Sequence, residues 1–286
     1  MISHWKLRTR TLDLSHGAIM GVLNVTPDSF SDGGLHLEEA DAIAAGREMV
    51  GQGADIIDVG GESTRPGADP VSSDEELRRV IPVVEALVAE GVVVSVDTSK
   101  PVVARAALEA GAEIVNDVTA AASGEMAEVV AGSGAALILM HIQGTPRTMQ
   151  QNPVYSDVVS EVAAFLADRA RRVIAAGADP ASIAIDPGIG FGKTVSHNLE
   201  LIAGLGTLAG LGYPVVLGAS RKTFIGRLTG IEAPQARDHA TAVTTALGFE
   251  RGARVFRVHD VASSRAALRL AAAIVNPQQW DEWSQA

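Results

Sequence analysis

A chain of 286 residues has room for one barrel of roughly 250 residues and a short extension. Its formal charge of −11 excludes a broad nucleic-acid surface, and its lack of cysteine excludes disulfides, thiolate nucleophiles and Cys-based zinc sites. No apolar run reaches the ~18 residues of a membrane span, and no basic-then-apolar leader opens the chain. The expectation is a cytoplasmic protein without membrane or nucleic-acid partners.

In chain order, Trp5–Leu14 alternates with period two and predicts a small hairpin or strand pair lying outside the barrel, so residues 1–16 are expected as an N-terminal hairpin extension. Eight short apolar runs follow: Ile19–Leu23, Asp55–Val59, Val92–Val96, Glu113–Val115, Ala136–Met140, Ile183–Ile185, Val215–Leu217 and Val255–Val258. Helical patterns fill gaps between them: Leu37–Gly51, Ser73–Glu90 with a Ser-Asp-Glu-Glu capping pattern, and a helix entered at Ser99-Lys100-Pro101 with Ser99 as cap. Val158–Ala176, Asp238–Gly252 and Val261–Val275 complete the helices. The alternation predicts an α/β fold, a single (β/α)8 TIM barrel over residues 17–286, with its site at the C-terminal strand ends.

Those ends carry the unusual chemistry. Asp97 and Asp186 close the third and sixth runs and can face one cavity as an acid/base pair or as acceptors for a heterocycle with amidine-like N–H edges. Asn116, both donor and acceptor, favours recognition; helix capping is the plainer alternative for the acids. Gly188-Ile189-Gly190-Phe191-Gly192-Lys193 fails as a P-loop because Pro187 stands where a glycine is needed. Its glycines would instead let backbone approach a flat ligand, with Phe191 as a wall. Ser220-Arg221-Lys222-Thr223 opens a helix and offers an anion site, and Arg257 and His259 project together as a diphosphate clamp. Arg65, Lys222, Arg257 and His259 are the local cations set against the overall negative charge. His141 is expected to be buried and hydrogen-bonded, because the first strand offers no His-x-His for a hydrolytic metal. Asn24 can orient a loop or lend one amide oxygen to Mg²⁺. The loops Thr26–His36, Gly61–Ser72 and Ile142–Tyr155 are long enough to serve a site or act as lids.

Met20-Gly21-Val22-Leu23-Asn24-Val25-Thr26-Pro27-Asp28-Ser29-Phe30-Ser31-Asp32-Gly33-Gly34 and Gly60-Gly61-Glu62-Ser63-Thr64-Arg65-Pro66-Gly67 resemble the two signatures of the dihydropteroate synthase family. Asp186–Lys193, Ser220-Arg221-Lys222 and Arg257-Val258-His259 continue the resemblance, which runs from about Gly17 to Val275. It implies the joining of p-aminobenzoate to 6-hydroxymethyl-7,8-dihydropterin diphosphate, with release of pyrophosphate.

By the same resemblance, Asp97, Asn116, Asp186 and Lys222 would hold the pterin, with Met140, Phe191 and Gly218 around it. Arg257 would stack on the ring and contact the diphosphate with His259, while Thr64 and Arg65 would lie where diphosphate and second substrate meet. Phe30, Thr64, Pro66, Phe191, Lys222 and Thr223 would shape the p-aminobenzoate pocket, and Asn24 would bind Mg²⁺. Asp97, Lys222 and Arg257 are the expected catalytic residues, and a homodimer is implied. The intact second signature implies sensitivity to sulfonamides. Two rivals share the barrel: a methyltetrahydrofolate-dependent methyltransferase, which needs no diphosphate clamp, and a pterin-binding paralogue without synthase activity.

Overall fold

The computed structural model describes residues 2–26, 35–63, 70–145 and 147–279. An antiparallel hairpin, β1 (His4–Lys6) and β2 (Thr11–Asp13), precedes eight strands: β3 (Ala18–Asn24), β4 (Ile56–Gly60), β5 (Val94–Asp97), β6 (Ile114–Asp117), β7 (Ala136–Met140), β8 (Ile183–Asp186), β9 (Val216–Leu217) and β10 (Val255–Val258). The eight pair in parallel in the order β8-β7-β6-β5-β4-β3-β10-β9. A single bridge between Ile185 and Val215 closes the ring, with the Ile185 N–H donating to the Pro214 carbonyl at 2.9 Å.

Ten helices are described: α1 (Leu35–Gly51), α2 (Ser73–Ala89), α3 (Pro101–Glu109), α4 (Gly124–Ser133), α5 (Val158–Ala175), α6 (Val195–Ala203), α7 (Leu205–Ala209), α8 (Thr223–Thr229), α9 (Asp238–Glu250) and α10 (Val261–Val275). Strand residues such as Ile57, Val59, Val94, Val96, Leu137, Leu139, Ile183 and Ile185 face these helices and form the outer core. Their alternate neighbours point inward. A strand's period of two therefore builds interior columns that are apolar at the bottom and polar at the top: Ile56–Asp58–Gly60, Ile114–Asn116, Ala184–Asp186 and Val255–Arg257.

Local signals explain most helix starts, with two corrections. The cap of α2 is Ser72, whose hydroxyl accepts from Glu75 N–H at 3.3 Å, rather than Ser73. Glu76 faces inward, where it is buried and ion-paired with Lys100. Ser99 is not the cap of α3: Lys100 occupies that position without a side-chain bond, and the Thr98 hydroxyl accepts from its N–H at 3.2 Å. Three further helices escape periodicity. α4 is capped by Ser123 and stopped by left-handed Gly134, while α6 carries a capping box between Thr194 and His197 and runs into the five-residue α7.

The hairpin forms its own two-stranded sheet outside the ring of eight strands and packs closely against it. Trp5 is fully buried, with its indole N–H donating to the Ser182 carbonyl at 2.9 Å. With Leu7 and Leu14 it packs on Ala18, Ile56, Val93, Ile114, Ala136 and Val255, which stand at or beside the starts of the strands. The hairpin therefore plugs the N-terminal mouth of the barrel. Glu113 secures it by accepting from the Thr9 hydroxyl at 2.9 Å and pairing with Arg10 at 2.7 Å. No described helix is long and apolar enough to cross a membrane.

Candidate active site at the C-terminal mouth of the barrel

The interior columns deliver their polar tops to one place. Asp97, Asn116, Met140, Asp186, Gly218 and Arg257 line a narrow cavity at the C-terminal mouth, and Phe191 and Lys222 close its side. All eight are among the residues expected from the sequence. Asp97 also borders a second cavity of about 330 Å³, whose other walls include Glu62, Glu76, Thr98 and Thr119.

One central residue is absent from the sequence reading. Asp58 sits one step below the tip of β4, fully buried. Its Oδ2 accepts from Arg257 Nε at 2.6 Å and from Asn116 Nδ2 at 3.0 Å. Arg257 Nη2 donates to Asp97 Oδ2, also at 2.6 Å. One guanidinium thus serves two buried carboxylates. The available signal was an acid inside the apolar run Ile56-Ile57-Asp58-Val59, on the same face as Gly60.

Electrostatics follow from this crowding. Burial pushes the Asp97 carboxyl up to about 7, against the pull of Arg257, and the Asp58, Glu76 and Asp117 carboxylates add to the rise. Burial likewise raises Asp186 to about 6, opposed by the Gly188 N–H and by Lys222, Arg257 and Lys193. Asp186 is held by that Gly188 N–H at 2.6 Å. Asp117 points away from the cavity and accepts from the N–H groups of Thr119 and Ala121 at 2.8 and 2.9 Å.

The glycine segment after β8 forms the side wall. Gly188 has φ +67°, and a Cβ there would lie 1.9 Å from the His141 carbonyl oxygen. Gly192 has φ +64°, and a Cβ would meet the Gln143 carbonyl oxygen at 2.6 Å. Only glycine allows these approaches. The result holds Phe191 against the cavity, with Lys222 Nζ 4.0 Å from its ring centre. The loop after β7 supports this wall: Gln150 donates to the Gly190 carbonyl at 2.6 Å and Tyr155 to that of Gly192 at 2.8 Å. Its Met149 packs with Val118, Met140 and Phe191.

His141 is buried, as expected, with Nδ1 3.0 Å from Lys193 Nζ and its ring edge-on to Phe165. Burial and the Lys193 charge press its pKa down to about 3. Burial brings Lys193 itself down to about 7. His259 stands beside Ser220, whose Oγ accepts from the His259 backbone N–H at 3.2 Å and lies 2.9 Å from Nδ1. Arg221 is committed elsewhere, gripping Asp238 through two 2.7 Å bonds. Thr223 is exposed in the first turn of α8, and Asn24 ends β3 in register with Gly60. Phe30, Thr64, Arg65 and Pro66 lie outside the described residues.

Residues 20–259 match the model of the pterin binding enzyme family. The chain is 44% identical to the dihydropteroate synthase of Escherichia coli (strain K12), covering 94% of this chain and 95% of that one. It is 48% identical to that of Mycobacterium leprae, covering 92% and 95%. The fold superposes on Xanthomonas albilineans dihydropteroate synthase with 4-aminobenzoic acid, with a TM-score of 0.90 at 45% identity over 96% of this chain and 98% of that one. It also superposes on the X. albilineans enzyme in complex with 7,8-dihydropteroate, with a TM-score of 0.87 at 43% identity over 95% and 98%. Relatives this similar, matched from one end of the barrel to the other, show that the chain belongs to the dihydropteroate synthase family of pterin-binding enzymes.

Proposed function

We infer that the chain is a dihydropteroate synthase, a transferase that condenses p-aminobenzoate with 6-hydroxymethyl-7,8-dihydropterin diphosphate to give 7,8-dihydropteroate and pyrophosphate. The observation that carries this is the convergence of Asp97, Asn116, Asp186, Lys222 and Arg257 on one cavity in a chain of this family. The relatives are synthases, and a diphosphate clamp at Arg257 and His259 serves no purpose in a methyltransferase.

In this reading the buried carboxylates accept from the amidine-like edge of the pterin, between Met140, Phe191 and Gly218. Arg257 stacks on the ring. His259 contacts the diphosphate, which Thr64 and Arg65 also approach. The C–O bond breaks, and pyrophosphate leaves with the electron pair. The remaining methylene cation is delocalised over the dihydropterin and offset by Asp97. The aniline nitrogen of p-aminobenzoate attacks from the pocket of Phe30, Pro66, Phe191, Lys222 and Thr223, then loses a proton. Excluding water protects the cation.

No group of three or more His, Cys, Asp or Glu side chains able to hold a metal exists among the described residues. Asn24 would hold Mg²⁺ through its one amide oxygen, a hard donor of the kind this cation takes from protein. Mg²⁺ bound there would neutralise charge on the leaving group. The setting we assign is the cytoplasm.

The test is pyrophosphate release from dihydropterin diphosphate and Mg²⁺, with and without p-aminobenzoate. Release should require p-aminobenzoate, match dihydropteroate formation, stop with chelator and fall with a sulfonamide competing against p-aminobenzoate. Tight pterin binding without product would return the chain to the non-catalytic alternative.

A homodimer is part of the proposal. Val243 and Leu247 on α9, and Leu270 and Ile274 on the adjoining α10, are exposed apolar pairs at helical spacing. Leu270→Glu with Ile274→Glu should convert a dimer to a monomer in sedimentation. A monomeric wild-type protein would sink this part.

A further inference from the structure

We propose that Asp58 is a positioning residue for the pterin site, fixing the orientation of both the Arg257 guanidinium and the Asn116 amide from beneath the cavity. The inference rests on the synthase reading and adds to it a residue that need not touch substrate.

Asp58 is fully buried, a step below the residues that line the cavity. Its salt-bridged carboxylate can only accept, so the amide of Asn116 must turn its nitrogen toward β4. The amide oxygen is thereby kept for the other side, and the two ends cannot exchange. For Arg257, Asp58 takes Nε and Asp97 takes Nη2, so two anchors define the plane of the guanidinium. When Asp97 turns to the N–H groups of a bound pterin, Asp58 remains as the buried counter-ion. Its second oxygen, Oδ1, makes no hydrogen bond among the described residues and can receive Arg257 as a two-point pair.

A positioning role has a signature that loss of packing lacks. Asp97 is surrounded by Arg257 on β10, Asp58 on β4, Glu76 on α2 and Asp117 on β6, with Asp186 and Lys222 bordering the same cavity. Removing the Asp58 charge relieves Asp97 of a like charge, so Asp97 keeps its proton only at lower pH.

The experiment compares wild type, Asp58→Asn and Asp58→Glu in synthase assays across pH. Asp58→Asn should raise KM for dihydropterin diphosphate roughly tenfold or more while KM for p-aminobenzoate stays within about threefold. Its acid limb should move down by about half a pH unit or more. Asp58→Glu keeps the charge but displaces it, so KM should rise with the acid limb unmoved. Should Asp58→Asn fail to fold, Asp58→Glu carries the test alone, and a wild-type KM there overturns the proposal. Wild-type KM and acid limb in folded Asp58→Asn overturn it equally. A wild-type protein that makes no dihydropteroate would instead sink the synthase reading.

Discussion

Asp97→Asn is expected to lower kcat by roughly 10²- to 10³-fold, the scale for removing one preorganised electrostatic partner of a transition state. The substitution keeps size and one acceptor oxygen but removes the charge that offsets the methylene cation. Turnover should therefore fall more than the affinity for dihydropterin diphosphate. A pH profile sharpens the test. Burial lifts Asp97 to about 7 and Asp186 to about 6, so activity that needs both carboxylates is full above these values. It is lost as pH falls through them. Asp97→Asn should remove the upper step and leave the lower one. Steady-state turnover within about threefold of wild type would end the charge-offset role.

Trp5→Ala is expected to destabilise the protein by about 3–5 kcal/mol, the usual cost of emptying a buried aromatic site. Losing the indole N–H leaves the Ser182 carbonyl without that donor, which adds to the penalty. For a chain of this size, calorimetry should read a melting point lower by roughly 10 °C. Below that transition, both KM values should match wild type, because Trp5 fills the opposite mouth from Asp97 and Asp186. An unchanged melting point would mean that the hairpin does not contribute to the core.

How much of this was legible follows from where each residue stands. Asp97, Asn116, Asp186 and Arg257 end or nearly end their strands, and period two aims them at the axis. Their convergence could therefore be read from the residues alone. Asp58 could not, because an acid inside an apolar run gives no sign of its partner on a strand far along the chain. The Ser73 capping pattern needs the Glu76 side chain at the helix start, but Glu76 is buried against Lys100 and Ser72 caps instead. The hairpin's alternation marked strands correctly but carried no information about what Trp5 would cover. Phe30, Thr64, Arg65 and Pro66 rest on the family signatures.

The pairing of Arg257 with Asp58 spans 199 residues, and its pairing with Asp97 spans 160. Closing loops of that length makes these contacts late events in folding. A chain emerging from the ribosome places β4 and β5 long before β10, so Asp58 and Asp97 wait without the cation that makes their burial tolerable. The last strand therefore does more than complete the ring. Its arrival neutralises the interior, and collapse around the two acids is premature until then. A nascent chain halted before residue 255 should keep the region around Asp58 open to hydrogen exchange, and the same segment should become protected once Arg257 is in place.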